Sequence, residues 1–249
     1  MKTENRWVEI PVPDELPHPT VMGAYVARPD APGVFPGVVV APELFGVNGH
    51  IEEVTRRIAA LGHVAVAPDF HHRTEPRAAL PYGDEGRAHG FELIDRLTRD
   101  GVVRDVAAAM AYLREYESTT ARTGMVGFSV GGHFAFIAAA RLDLAVTAAF
   151  YPGWLTSTDI PVSRPEPSLG LAAGIKGRLL ILVGGADHAV TGGQVEQIGG
   201  ELTAAGVRHE LVVYPDTPHG FFCDERDTYR PEIAEDSWRR VTDLLSDLR

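Results

Sequence analysis

Short apolar runs alternate with helix-period stretches along most of this chain. GVVVAPE (37–43) and HVAVAPD (63–69) are β-branched and almost continuously apolar, as strands covered on both faces are. Between them, IEEVTRRIAALG puts Ile51, Val54, Ile58 and Leu61 on one helical face, and Gly62 stops it. The pattern then repeats. RDVAAAMAYLREYE carries Val106, Met110 and Leu113 on one face; TGMVGF reads as strand, VGGHFAFIAAARL as helix and LAVTAAFYPG as strand. RLLILVGGAD and ELVVYPD read as strands on either side of a helix in GGQVEQIGGELTAAG. A last helix, from about Pro231, turns Ile233, Trp238, Val241, Leu245 and Leu248 inward. Such alternation predicts an α/β fold with a mostly parallel central sheet and helices on both faces. Ahead of it, RWVEIPV and VMGAYVARP read as an antiparallel edge pair.

The chain has 249 residues and no internal repeat. Its proline-rich breaks, at 11–19, 29–36 and 161–167, are too short for linkers, so residues 1–249 read as one domain. Asp and Glu total 34 against 23 Lys and Arg, a formal charge of -11. With no basic block and no aromatic–basic interleaving, nucleic acid is excluded as a partner. A single cysteine, Cys223, excludes a disulfide framework and a cysteine-rich zinc site. No stretch approaches the roughly 18 apolar residues of a membrane span, and the first residues lack an apolar leader core. The expectation is a soluble cytoplasmic protein, monomer or homodimer, without a membrane partner.

Active sites of parallel sheets lie at the carboxyl ends of the strands. There, GFSVG (127–131) matches G-x-S-x-G between a strand and a helix. So sharp a reversal strains the central residue, needs small residues two positions away, and lifts the Ser129 hydroxyl above the sheet. Backbone N–H groups after it sit at a helix N-terminus, where a developing oxyanion is favoured. A serine nucleophile needs a base. His219, in VVYPDTPHGFF, follows the last strand by a short loop. Asp187, in LLILVGGADHAV, could orient it or merely cap the next helix. Asp216 reads as a turn residue and His188 as an adjacent decoy. His133 reads as a packing residue of the helix after the serine, and His63 opens a strand. His18, His50, His89 and His209 read as surface residues. His71 and His72 form a pair that could line a pocket, but no third metal ligand stands at recognisable spacing, so no metal is expected.

VVVAPELFGVNGHIEEVTRRIAALGHVAVAPDF, GFSVGG, GGADHAV and YPDTPHGFF, in that order, resemble the signature blocks of the dienelactone hydrolases, over roughly residues 20–245. The order Ser129, Asp187, His219 is also that of the α/β-hydrolases. The resemblance implies an α/β-hydrolase fold without a large lid domain, acting on small esters and lactones without a cofactor. It implies that Glu43 lies beside the nucleophile and helps govern its ionisation. It also implies that the N–H groups of Leu44 and Val130 form the oxyanion hole. Two departures are visible. The family's archetypes use cysteine where this chain has Ser129, and a serine must lose its proton during attack. They also carry an arginine four residues after the histidine, to hold a substrate carboxylate. That position is Cys223, with Arg226 nearby and out of register.

Phe45, Tyr151, Trp154 and Phe221 follow strand ends or motif residues and are candidates for the substrate-binding wall. The segment 71–90 is expected to arch over the site, where Arg73, Arg77 or Arg87 could meet an anionic substrate. The sequence thus points to a carboxylic ester hydrolase working through an acyl-serine. Two alternatives remain: a cyclase or acyl transferase on the same site, and a ligand-binding protein that kept the fold.

Overall fold

The computed structural model describes residues 1–13 and 20–249; His18 and most of the first proline-rich break lie outside the described residues. Eight strands form one sheet: β1 (Thr3–Val12), β2 (Thr20–Pro29), β3 (Gly37–Ala41), β4 (Val64–Pro68), β5 (Thr123–Phe128), β6 (Val146–Phe150), β7 (Arg178–Gly184) and β8 (His209–Tyr214). Their spatial order is β1-β2-β4-β3-β5-β6-β7-β8. β1 and β2 pair antiparallel, Thr3 opposite Pro29 through Val12 opposite Thr20, and β2 meets β4 antiparallel. From β4 to β8 every pairing is parallel. The edge pair and the parallel body are as the sequence leads one to expect.

Among the described residues the α-helices are α1 (Gly49–Ala60), α2 (Asp84–Ile94), α3 (Arg99–Tyr116), α4 (Val130–Arg141), α5 (Gly192–Ala204) and α6 (Pro231–Ser246). Because successive strand residues point to opposite faces, neighbours in one strand enter different cores. Val38 and Val40 of β3 pack with Ile51, Val54 and Ile58 of α1 and Val241 and Leu245 of α6. Val39 and Ala41 pack in the core that holds α3, α4 and α5. Two-sided burial explains why these strands read as unbroken apolar runs. In α1, Ile51, Val54 and Ile58 are buried to within 1 %, each worth about 1.5–3 kcal/mol on folding. Asn48 caps that helix by accepting the Ile51 N–H. Leu61 is the C-cap and only half-buried, because the helix ends one residue short of completing its face.

The helix α2 is absent from the sequence reading. Its segment lacks a clear apolar stripe, and only Leu93 and Ile94 at its end are buried hydrophobics. Among the described residues, no helix is long and apolar enough to cross a membrane.

Candidate active site

Parallel pairing brings the carboxyl ends of β3, β5, β6, β7 and β8 to one edge of the sheet. Glu43, Ser129, Tyr151, Asp187 and His219 each lie within a few residues past one of these ends. Ser129 joins β5 to α4 with φ 55° and ψ -117°, a left-handed conformation that a non-glycine residue adopts only under constraint. The constraint is visible on both sides. A Cβ on Gly127 would collide with the Gly131 carbonyl, and one on Gly131 would collide with the carbonyls of Ala41 and Pro42. The Ser129 N–H donates to the Phe150 carbonyl at 3.0 Å, which fixes the elbow to β6.

Ser129 Oγ lies 2.9 Å from His219 Nε2. On the far side of the ring, His219 Nδ1 lies 2.9 Å from Asp187 Oδ2 and 3.1 Å from Oδ1. A carboxylate only accepts, so Nδ1 carries the proton and the Nε2 lone pair faces the hydroxyl. Asp187 is itself held by the N–H groups of Ala189, at 2.7 Å, and Val190, at 3.2 Å. It is not the cap of α5, whose N-cap is Thr191. His188 packs edge-on to His219 with ring centroids 5.5 Å apart and does not displace it from Asp187. Burial and the neighbouring His219 imidazole lower the His188 pKa. Leu44 borders the cavity beside Glu43, and Val130 opens α4 directly after Ser129.

Glu43 is 3 % exposed. Its Oε1 accepts the Tyr151 hydroxyl and the Arg226 guanidinium, each at 3.2 Å, while Oε2 is buried without a partner. The arginine that sequence register set aside therefore belongs to the site. It lies seven residues past His219, and the loop doubles back, Arg226 N–H to the Cys223 carbonyl, so that its side chain returns to the cavity. Cys223 itself is fully buried, and burial pushes its thiol up to about 11, so it is no second nucleophile.

Ser129, His219 and Glu43 open into a cavity of about 530 Å³. Phe45, Trp154 and Phe91 supply its aromatic wall; Arg87, Arg226 and His188 its basic groups. The segment 71–90 reaches the cavity through Arg87 alone among its three candidate arginines. Arg73 is bidentate on buried Asp105, and Arg77 stacks over Trp7. Two expectations for the substrate wall are corrected. Tyr151 and Phe221 are fully buried and do not line the cavity. Tyr151, with φ 38°, turns its ring edge-on to His219 and its hydroxyl to Glu43; Phe221 packs behind it. Aromatics just past strand ends can face either way, and here the sharp turn after β6 sends Tyr151 inward.

His133, His71 and His72 are buried away from the cavity. His133 is fully buried between the Gly153 carbonyl (2.9 Å from Nδ1) and Ser168 Oγ (2.7 Å from Nε2), and desolvation drives its pKa down to about 3. It ties α4 to the loop that carries Trp154. His71 and His72 are buried but do not line the cavity, and His72 Nε2 lies 3.2 Å from Asp105. His50 is 5 % exposed, not a surface residue, because α1 begins against Phe128 and Phe222.

A serine elbow near the centre of this sheet, with Asp187 and His219 brought to it by the loops after β7 and β8, belongs to an α/β-hydrolase fold. The model of the dienelactone hydrolase family matches residues 22–248. The chain is 35% identical over 229 residues to a Synechocystis protein named "Putative carboxymethylenebutenolidase", covering 90% of this chain and 91% of that one. It is 31% identical to a Bradyrhizobium protein named "Probable 2-oxo-3-(5-oxofuran-2-ylidene)propanoate lactonase", covering 88% and 86%. A crystal structure of a "Putative Dienelactone Hydrolase" from Klebsiella pneumoniae superposes with a TM-score of 0.85 at 28% identity, covering 98% and 99%. The chain belongs to the dienelactone hydrolase family.

Proposed function

We propose that this protein is a carboxylic ester hydrolase that opens small esters or lactones through an acyl-Ser129 intermediate. The observation that carries the reading is the continuous relay from Ser129 Oγ through His219 to Asp187, 2.9 Å at each step. In the first half-reaction Ser129 Oγ attacks the substrate carbonyl while His219 Nε2 takes its proton. The Leu44 and Val130 N–H groups hold the oxyanion. Asp187 orients the ring and stabilises the imidazolium. His219 then protonates the departing alkoxide. In the second half-reaction it activates a water that releases the acid and restores the serine. Glu43 places negative charge beside this chemistry, and Tyr151 and Arg226 hold it there.

A cavity of about 530 Å³ lies within the roughly 300–1,000 Å³ range of small-molecule sites. Its aromatic wall favours a compact, partly unsaturated substrate. The reaction needs no cofactor, and one copy of the chain holds every group it uses, as a monomer or homodimer of one hydrolase domain spanning 1–249. A single free thiol fits the reducing cytoplasm.

The test pairs a short-chain nitrophenyl ester assay with intact-mass analysis after exposure to a serine-directed phosphonate. One adduct, lost in Ser129→Ala, together with ester turnover, supports the reading. Labelling without release of free acid from any small ester or lactone would favour a cyclase or transferase. No adduct on the folded protein would overturn an activated Ser129.

A further inference from the structure

The loop that carries His219 and Arg226 also brings Cys223 and Asp224 against the first turn of α1. There an imidazole nitrogen of His50, the Cys223 thiol and a carboxylate oxygen of Asp224 all lie within 4.8 Å of one another. His50 and Cys223 are buried and Asp224 is exposed, so the group opens to solvent on one side. His50 Nδ1 lies 3.3 Å from Asp224 Oδ1, while its other nitrogen, Nε2, is buried with no partner. None of the three lines the substrate cavity or takes part in the ester chemistry.

We infer that His50, Cys223 and Asp224 form a binding site for a thiophilic divalent cation, zinc above all, separate from the active site. The donor set is one thiolate, one imidazole and one carboxylate, the mixture that suits zinc and leaves a fourth, solvent-facing position for water. Tetrahedral bonds of about 2.0–2.3 Å hold ligand atoms about 3.3–3.8 Å apart. The His50–Asp224 spacing already has that value. Closing the rest asks for a shift of about 1 Å, within reach of an exposed aspartate and a rotating thiol. Charge also fits. A thiolate and a carboxylate cancel the two positive charges, which matters because the amino end of α1 disfavours an unneutralised cation.

Proton accounting is simple. The cation replaces the Cys223 thiol proton, which leaves to solvent. That thiol donates to the Tyr82 hydroxyl oxygen at 3.2 Å, and Asn48 Nδ2 donates to the same oxygen at 2.9 Å. Once the sulfur is a thiolate, the Tyr82 hydroxyl can turn and donate to it. Asn48 is the cap of α1, so this supporting layer is anchored in the helix that presents His50. Phe128 and Phe222, with ring centroids 6.3 and 6.0 Å from that of His50, give the site a dry inner wall. Sequence spacing could not reveal the group, because its ligands come from positions 50 and 223–224. A bound cation would clamp the His219–Arg226 loop to α1.

The test titrates the chelator-stripped full-length protein with Co²⁺, read by thiolate-to-cobalt charge transfer in the near ultraviolet, and then displaces it with Zn²⁺. The expected result is one equivalent per chain. Cys223→Ser should lose the charge-transfer band. Asp224→Asn and His50→Gln should each weaken cobalt binding at least about tenfold. Zinc should raise the thermal midpoint of the wild type and leave that of Asp224→Asn nearly unchanged. Asp224 is exposed, so its variant keeps the test valid if the buried variants misfold. Absence of the band in the wild type, or affinities of Asp224→Asn within about twofold of wild type, would overturn the site. These readouts do not depend on ester turnover and hold whether or not the hydrolase reading survives.

Discussion

Arg226 Nη1 lies 3.2 Å from Oε1 of Glu43, joining a loop after β8 to the turn after β3 across 183 residues. The pair is unequal in exposure: the Glu43 side chain is 3 % exposed and that of Arg226 21 %. The arginine thus neutralises a carboxylate that otherwise has one hydroxyl for support and an unpartnered second oxygen.

Removing the arginine alone should therefore hurt more than removing both. Arg226→Met leaves a buried carboxylate without its cation and should cost roughly 2–3 kcal/mol, less than a fully buried pair because water reaches the arginine. Glu43→Gln should cost less, since an amide can still accept from Tyr151. The double variant should be more stable than the sum of the singles implies, with a coupling of about 1–3 kcal/mol. Urea unfolding of the four proteins measures it. Strict additivity would mean that the contact is incidental.

The proposed relay sets a hierarchy of kinetic losses. Ser129→Ala and His219→Ala should each lower kcat by about 10⁴-fold or more, and the double variant should be no worse than either. Asp187→Asn keeps the shape but lets the ring turn to the wrong tautomer, for a loss approaching about 10⁴-fold. Glu43→Gln should lower kcat/KM only about ten- to hundredfold, or about 1.4–2.8 kcal/mol of barrier. Steady-state rates on one nitrophenyl ester decide this. A Glu43→Gln variant as dead as Ser129→Ala would move Glu43 from a supporting to an essential role.

The elbow glycines should be replaceable only at the cost of the site. A methyl group on Gly127 or Gly131 meets backbone carbonyls, which cannot swing aside as a side chain can. Each Gly→Ala change should destabilise by at least about 3 kcal/mol and abolish phosphonate labelling even in the folded fraction. By contrast Gly193→Ala, where the added carbon meets nothing within 4 Å, should be silent or slightly stabilising. Thermal midpoints and labelling yields compare the three.

What could be read from the sequence follows a physical line. Elements buried on two faces, such as β3 and β5, show as unbroken apolar runs, and each strand end then marks a position near the site. Ser129, Asp187 and His219 are legible because local turn chemistry and chain order both constrain them. Arg226 is not legible, because its place depends on how the loop after His219 folds back. The same limit hides α2, with its weak apolar stripe, and the burial of His50, which depends on the aromatic residues it meets from β5 and the 219–226 loop. Tyr151 and Phe221 mark the opposite error: their type suits a substrate wall, but the turn after β6 sends Tyr151 inward and the loop after β8 packs Phe221 behind it.

Acid should unfold this protein through its buried imidazoles. His63 and His71 have pKa values lowered to about 4, and His133 to about 3, in each case mainly because burial disfavours the cation. In the unfolded chain each titrates near 6.5. The folded values are the lower ones, so between about pH 6.5 and 4 the unfolded state binds more protons and stability falls as pH falls. Above pH 6.5 the three groups have no effect. At about 1.4 kcal/mol per pH unit for each group, the three together set an upper slope of about 4 kcal/mol per unit near pH 5. Urea midpoints measured at half-unit steps from pH 7.5 to 4.5 test the sign. His71→Asn, which keeps a polar side chain without a titrating proton, should flatten the acid limb by up to about one third. A midpoint that holds steady down to pH 4.5 would mean that these imidazoles gain protons in the folded state with acceptor or anionic partners to hold the charge, contrary to their buried, weakly solvated surroundings.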